Sequence, residues 1–287
     1  MTERGGEFSS VGQLTVLPPG RGMFLSSHYD DVALSCGGTV ALLAERGPQP
    51  LIVTIFGGEV TDDVLNPFAR WKHSRWGLTD MDAVREQRQA EDTAAATVLG
   101  TRTRWLGVPD AIYRGERHVT DQELYGAVQP TELPLAALIA DEVEAVPEWT
   151  DTSIVFVPLA AGSHVDHQLV FLAGQHLASR SVRVLAYEDC PYVIHTPRAL
   201  DTRLAELADA LGPPQYVPIA STFERRLAAI TAYATQVPVV FRFTSDVRGE
   251  LTKFCRRLDP ELGPVERFWP VLPTVEAPLS DKPDKEV

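Results

Sequence analysis

The chain has little cysteine (three residues in 287), little methionine (three), and too little positive charge to balance its acids, with 26 Lys and Arg against 39 Asp and Glu. Three scattered thiols, Cys36, Cys190 and Cys255, are too few for a disulfide framework. A net charge of −13 argues against a nucleic-acid backbone or an anionic membrane as the main partner, since each phosphate contact needs a Lys or Arg. It leaves room for a small anionic substrate, because a single pocket can be locally positive. No apolar stretch approaches the roughly 18 residues that would span a bilayer. The opening Met1-Thr2-Glu3-Arg4-Gly5-Gly6 lacks the basic-then-apolar pattern of a secretion signal. A cytoplasmic setting is expected. Nothing in the sequence specifies an oligomeric state.

What is present is ordinary globular composition, 44% hydrophobic and 23% charged, enough apolar mass for a large core. Strand and helix signals alternate. Met23-Phe24-Leu25 reads as a short buried strand and Val32 to Arg46 as a helix stopped by Gly47-Pro48. Leu51 to Phe56 is an apolar, β-branched run suited to a central parallel strand. Glu59 to Thr79 reads as a long loop. A helix capped by Asp82 follows, running to Leu99, then a strand at Arg104 to Val108. Further helix signals cover Pro134 to Val146, Asp166 to Ser179, Leu200 to Leu211 and Phe223 to Thr235; strand signals cover Ile154 to Pro158 and Val182 to Tyr187. This alternation predicts one three-layer α/β domain over residues 13–275, with a mostly parallel sheet and extra C-terminal helices. Residues 1–12 and 276–287 read as loose tails.

Chemistry concentrates just past two of the predicted strands. His28-Tyr29-Asp30-Asp31 follows the first, where a dinucleotide-binding protein would have Gly-x-Gly-x-x-Gly. A pyrophosphate would meet carboxylates there instead of bare amides, which excludes that reading. A divalent cation fits. His28 and Asp31 are three residues apart and can reach one ion while Asp30 points elsewhere. Gly162-Ser163-His164-Val165-Asp166-His167 follows the strand ending at Leu159. Zinc accepts imidazole and carboxylate ligands at about 2.0–2.2 Å and keeps a position open in catalytic sites. The two segments together offer His, Asp and His for the metal, with Asp30 and His164 left for proton transfer. Either motif alone is commonly a helix-terminal charge device; both together, each at a parallel strand's C-terminal end, mark a ligand crevice.

These residues resemble a known family, the PIG-L or LmbE-like metal-dependent amide hydrolases, which include N-acetylglucosaminyl deacetylases. The family's His-Pro-Asp-Asp-Glu, with a Gly-Gly in the following helix, is similar to His28-Tyr29-Asp30-Asp31-Val32 with Gly37-Gly38. Its His-x-Asp-His matches His164-Val165-Asp166-His167. Val84-Arg85-Glu86-Gln87-Arg88 is similar to the family's Arg-Glu helix, and Leu106 to Asp110 to its Leu-Pro-Asp loop. The resemblance implies a Rossmann-like sheet with the metal at the strand ends. It implies one zinc, or ferrous iron in its place, held by His28, Asp31 and His167. Asp30 is then the general base, His164 the oxyanion partner or proton donor, and Asp166 the group that orients a histidine. Arg85 and Asp110 stand where family members position substrate, and Glu188, at a strand end, is expected to face the same crevice.

Two departures from the family stand out, Tyr29 for Pro and Val32 for Glu. Neither is a ligand or the base, so an active enzyme of a divergent branch is expected. Cys36 reads as a small buried hydrophobe. Trp71, His73, Arg75 and Trp76 stand in the long loop as candidates for a substrate-binding lid, whereas His118, His176 and His195 read as surface or structural. The leading expectation is removal of an acetyl group from an amide nitrogen of a small N-acylated substrate, an amino sugar or glycoconjugate of specialised biosynthesis. The alternatives are an amidase of the same fold that cleaves a larger acyl or thiol-conjugate amide, and a non-catalytic ligand-binding homologue.

Overall fold

The computed structural model describes residues 21–258, 261 and 263–273. The tails expected at 1–12 and 276–287 lie outside the described residues. Seven strands form one sheet: β1 (Gly22–Ser26), β2 (Leu51–Thr54), β3 (Arg102–Trp105), β4 (Ile154–Pro158), β5 (Arg183–Tyr187), β6 (Gln215–Pro218) and β7 (Val265–Pro270). Their order is β3-β2-β1-β4-β5-β7-β6. The first five pair in parallel, as expected, and β7 is antiparallel to both its neighbours. Every residue of β1, β2 and β4 is buried, which is why these strands read as unbroken apolar runs. Phe24 of β1 stacks on Phe156 of β4 at 4.2 Å.

The helices in chain order are α1 (Asp31–Arg46), α2 (Pro67–Trp76), α3 (Met81–Leu99), α4 (Asp121–Leu124), α5 (Pro134–Glu144) and α6 (Val165–Ser179). They continue with α7 (Tyr192–His195), α8 (Pro197–Glu206), α9 (Phe223–Thr231), α10 (Val237–Val240) and α11 (Val247–Arg256). α1, α3 and α9 pack on one another, and α5 packs on α6. Right-handed crossovers put these two groups on opposite faces of the sheet. β1 lies between β2 and β4, so the chain turns to opposite sides on leaving β1 and β4. The crevice between their C-terminal ends is the place where such sheets bind ligands.

Three expectations need correction. Glu59 to Thr79 is not a loop: it holds a short 3-10 turn at Asp62–Val64 and the ten-residue α2. The helix signals were local. Asn66 caps by accepting from the Ala69 amide, Pro67 occupies the first turn, and Gly77 ends the helix at φ 73°. Its polar sequence hid them. The cap of α3 is Asp80, not Asp82. The C-terminal region is not helices alone, because it also completes the sheet with β6 and β7.

β7 escaped notice because Glu266 and Arg267 interrupt its apolar pattern, and Glu266 has a reason to be there. α1 breaks at Cys36 (φ −142°, ψ 25°), which frees the first amides of its second segment from intrahelical partners. Glu266 receives them. Its two oxygens accept from Gly38 and Thr39 N at 3.0 and 2.8 Å, a carboxylate at a helix start. Arg226 of α9, fully buried, lies 3.1 Å from Glu266 and also donates to the Leu34 carbonyl. A Cβ on Gly38 would fall 2.6 Å from Ile219 and 2.8 Å from Glu266, so only glycine admits this brace.

Glu266→Ala would strand a buried guanidinium and two amides. The expected loss is roughly 3–5 kcal/mol of stability, measured by urea unfolding; an unchanged midpoint and slope would show that the brace contributes nothing.

Candidate active site

The turn after β1 is built by its own hydrogen bonds. Ser26 Oγ donates to the His28 carbonyl at 2.5 Å and accepts from Val32 N at 3.2 Å. The His28 amide donates to Asp31 Oδ2 at 2.7 Å. Tyr29, where the family has proline, is held instead by its neighbours: its carbonyl accepts from Tyr233 Oη at 2.8 Å and its ring lies under Arg88. Val32, in place of glutamate, is wholly buried in the core.

Three expected ligands converge. Asp31 Oδ2 lies 3.5 Å from His28 Nδ1 and 3.3 Å from His167 Nε2, and the ligand atoms of the trio all lie within 4.8 Å of one another. His167 Nε2 is buried with no hydrogen-bond partner. The far nitrogen of each ring is anchored to a carboxylate. His28 Nε2 meets Asp166 Oδ2 at 3.1 Å, and His167 Nδ1 meets Asp189 Oδ1 at 2.7 Å. Those carboxylates are fixed in turn, Asp189 by the Ala161 amide and Asp166 by the Ala111 amide and Arg114. Carboxylate-oriented imidazoles of this kind are the usual support of a metal site. A buried, unpartnered imidazole nitrogen facing a carboxylate and a second imidazole fits a divalent cation. A second cluster, His28, His164 and Asp166, fits less well, since Arg114, Ala111 N and His28 already occupy the Asp166 oxygens.

Electrostatics sort the carboxylates. Burial raises the Asp30 carboxyl against the opposing pull of Arg88, whose Nη2 lies 3.3 Å away. Burial acts the same way on Asp31, but His167 and His28 outweigh it and hold that carboxyl well below the usual range. Burial also disfavours a charged His28, yet Asp110, Asp166 and Asp31 together keep its pKa well above the ordinary value. Burial, followed by the nearby His28, pushes His164 well down. His164 sits at the N-terminus of α6 and its Nδ1 accepts from the Asp166 amide at 3.2 Å. The neutral ring therefore carries its proton on Nε2.

A cavity of about 700 Å³ has His28, Asp30, Asp31, Asp110 and His164 in its wall. Asp110, expected to position substrate, has its Oδ2 3.5 Å from His28 Nε2. Arg85 and Glu188 are not brought to this cavity. Arg85 is ion-paired with Glu59 and Asp82 at 3.1 and 3.0 Å, while Arg88, one turn further along α3, reaches Asp30. Glu188 is turned to Arg267, Trp269 and Arg257, and its neighbour Asp189 supports His167. Trp71, Arg75 and Trp76 line the cavity from α2, as does His195 from α7, whereas His73 is buried against Tyr113. Arg114 went unread in the sequence. It links Asp166 to Glu132 at 2.8 Å, and Glu132 pairs with the buried His118 at 2.9 Å.

Known proteins resemble the chain in sequence and in fold. A 2'-N-acetylparomamine deacetylase of Niallia circulans is 27% identical over 239 residues, 76% of this chain and 82% of its own length. The crystal structure of a deacetylase of the A40926 pseudoaglycone is 27% identical, covers 91% of this chain and 100% of its own, and superposes with a TM-score of 0.73. The zinc-inhibited form of a teicoplanin deacetylase is 25% identical, covers 90% and 100%, and superposes with a TM-score of 0.76. The sequence model of the GlcNAc-PI de-N-acetylase family, PIG-L, matches residues 23–178, a span that holds every expected metal ligand, and the chain belongs to that family.

Proposed function

We propose that the chain is a zinc-dependent N-deacetylase that hydrolyses the acetamide of an amino sugar or glycoconjugate in specialised biosynthesis. The observation that carries this reading is the buried His167 Nε2, unpartnered and 3.3 Å from Asp31, a carboxylate in the wall of a large cavity. The deacetylases to which the chain is similar support it. His28, Asp31 and His167 would hold the cation, and their nitrogen and oxygen donors suit zinc. Such a cation, when bound, supplies Lewis acidity toward an amide carbonyl and acidifies water.

The chain's own residues do the rest. Asp30 takes a proton from the water that attacks the carbonyl carbon and returns it to the departing nitrogen, so that the C–N bond breaks as acetate and a free amine form. Arg88 holds the Asp30 carboxylate by an ion pair and is itself packed over the Tyr29 and Trp76 rings, 5.0 Å from each. His164, its Nδ1 committed to the Asp166 amide, offers Nε2–H to the oxygen that gains negative charge. Asp166 and Asp189 keep His28 and His167 in the tautomers that turn the other nitrogen toward Asp31.

His167→Ala is expected to strip most of the metal from the purified protein. Elemental analysis reads this directly, and one equivalent of metal retained per chain would remove His167 from the site. Asp30→Asn keeps the size of the side chain but takes up no proton. Metal content should persist while turnover on N-acetylglucosamine derivatives drops by roughly 10²–10⁴. A drop below about tenfold with metal intact would transfer the role of base to another group.

A further inference from the structure

The cavity extends well past the floor where the amide would react. Its wall also takes in separate segments, α2 with Trp71, Lys72 and Arg75, and the stretch beyond α10 with Arg242. The cations on this wall differ in one respect. Lys72 meets Asp121 at 2.8 Å, and Arg88 meets Asp30 at 3.3 Å. Arg75 has no ion pair or hydrogen bond among the described residues. Arg242 has no ion pair among them either and donates only to the Val239 carbonyl, at 3.4 Å. Both guanidinium groups are exposed at the cavity wall. In a chain with 39 acidic and 26 basic side chains, carboxylates to neutralise them are plentiful, yet among the described residues none lies within ion-pair distance of either.

Each of these arginines also has an exposed aromatic residue near it in the chain, of which Trp71, stacked on Phe68 with Lys72 Nζ 5.3 Å from its ring, lines the cavity. Trp71, one turn before Arg75 on α2, is 48% exposed, and Phe243, adjacent to Arg242, is 41% exposed. Phe243 is held in place by the His195 ring, 5.2 Å away, and His195 is itself part of the cavity wall. An exposed aromatic face beside an unpaired guanidinium suits a ligand that is flat and apolar and carries an anion. An amino sugar bearing further ammonium groups would meet like charge at the same place.

We propose that the substrate carries an anionic group on a planar apolar scaffold outside its N-acetylated sugar ring, held by Arg75 and Arg242 with Trp71 against the scaffold. This rests on the deacetylase reading and adds the chemistry of the part of the substrate that does not react. The two arginines act on binding, so their effect belongs in KM and affinity.

Three matched glycosides of N-acetylglucosamine test it: 4-carboxyphenyl, 4-methoxyphenyl and 4-(trimethylammonio)phenyl. Calorimetry on the metal-loaded protein reads binding, and amine release reads turnover. The carboxylate should bind roughly tenfold more tightly than the neutral glycoside at low salt, the sum of two exposed ion pairs, and the cation more weakly than either. The advantage should shrink as salt is raised. In the Arg75→Glu/Arg242→Glu variant the order of the charged glycosides should reverse, while Arg75→Lys/Arg242→Lys should retain the original order. Equal affinities for the three, binding of none of them, or an order unchanged in the charge-reversed variant would overturn the proposal. Charge-ordered binding without amine release from any glycoside would leave the anion site standing and count against the deacetylase reading alone.

Discussion

A buried charge must find a partner, and the ends of β1 and β4 bring together Asp30, Asp31, His164, Asp166 and His167, all buried, with His28 nearly so. An uncompensated ion in such a place costs several kcal/mol, so this cluster exists only because charge is matched outward from it. Asp166 is answered by Arg114, Arg114 by Glu132, and Glu132 by His118. Asp30 is answered by Arg88, and His167 by Asp189. Arg88 Nε, Arg114 Nη2 and His118 Nδ1 are left without a hydrogen bond along these chains, and so, at the centre of the cluster, is His167 Nε2. His167 Nε2 lies 3.3 Å from Asp31 Oδ2, so the unsatisfied nitrogen of the cluster faces the carboxylate that it would share with a cation.

The support of this cluster extends beyond the residues that carry the family likeness. The family match ends at residue 178, whereas Asp189, Arg226 and Glu266 lie later in the chain. Asp189 orients an imidazole. Arg226 and Glu266 brace the break in α1, the helix that begins at Asp31. The antiparallel strand β7 thus does more than widen the sheet, because it carries a carboxylate to the middle of α1. The fold ties the position of the Asp31 turn to contacts made by the last strand of the sheet, and a core ending at residue 178 would lack them.

Above the cluster, α2 and the segment after α10 form walls whose chemistry differs from that of the floor. The floor is a matched set of carboxylates, imidazoles and one arginine, fixed by hydrogen bonds on several sides. The outer wall has exposed rings and guanidinium groups with few internal bonds. Under the function proposed above, a division of this kind would separate the groups that act on the amide from those that select what is attached to it.

Much of the site was legible in the sequence because its chemistry is local. His28 and Asp31 are joined by one turn, and His164 to His167 by one more, so residue type and spacing alone indicate that each pair can share a ligand. The apolar runs of β1, β2 and β4 predicted a parallel sheet, which puts both turns at one end. What lay beyond the sequence was rotation and reach. Glu188 and Asp189 are adjacent at the end of β5, and neighbours on a strand point to opposite sides, so one faces Arg267 and the other His167. Arg85 and Arg88 sit one turn apart on α3, and only the packing of that helix decides which of them meets Asp30. Arg114, Glu132 and Glu266 had no local signal, because their partners are distant in sequence. The sequence by itself determined which side chains could do the chemistry and at which end of which strands they stand. Only the tertiary structure decided which charges neutralise them, since that depends on which side chains from remote segments are buried at the same point.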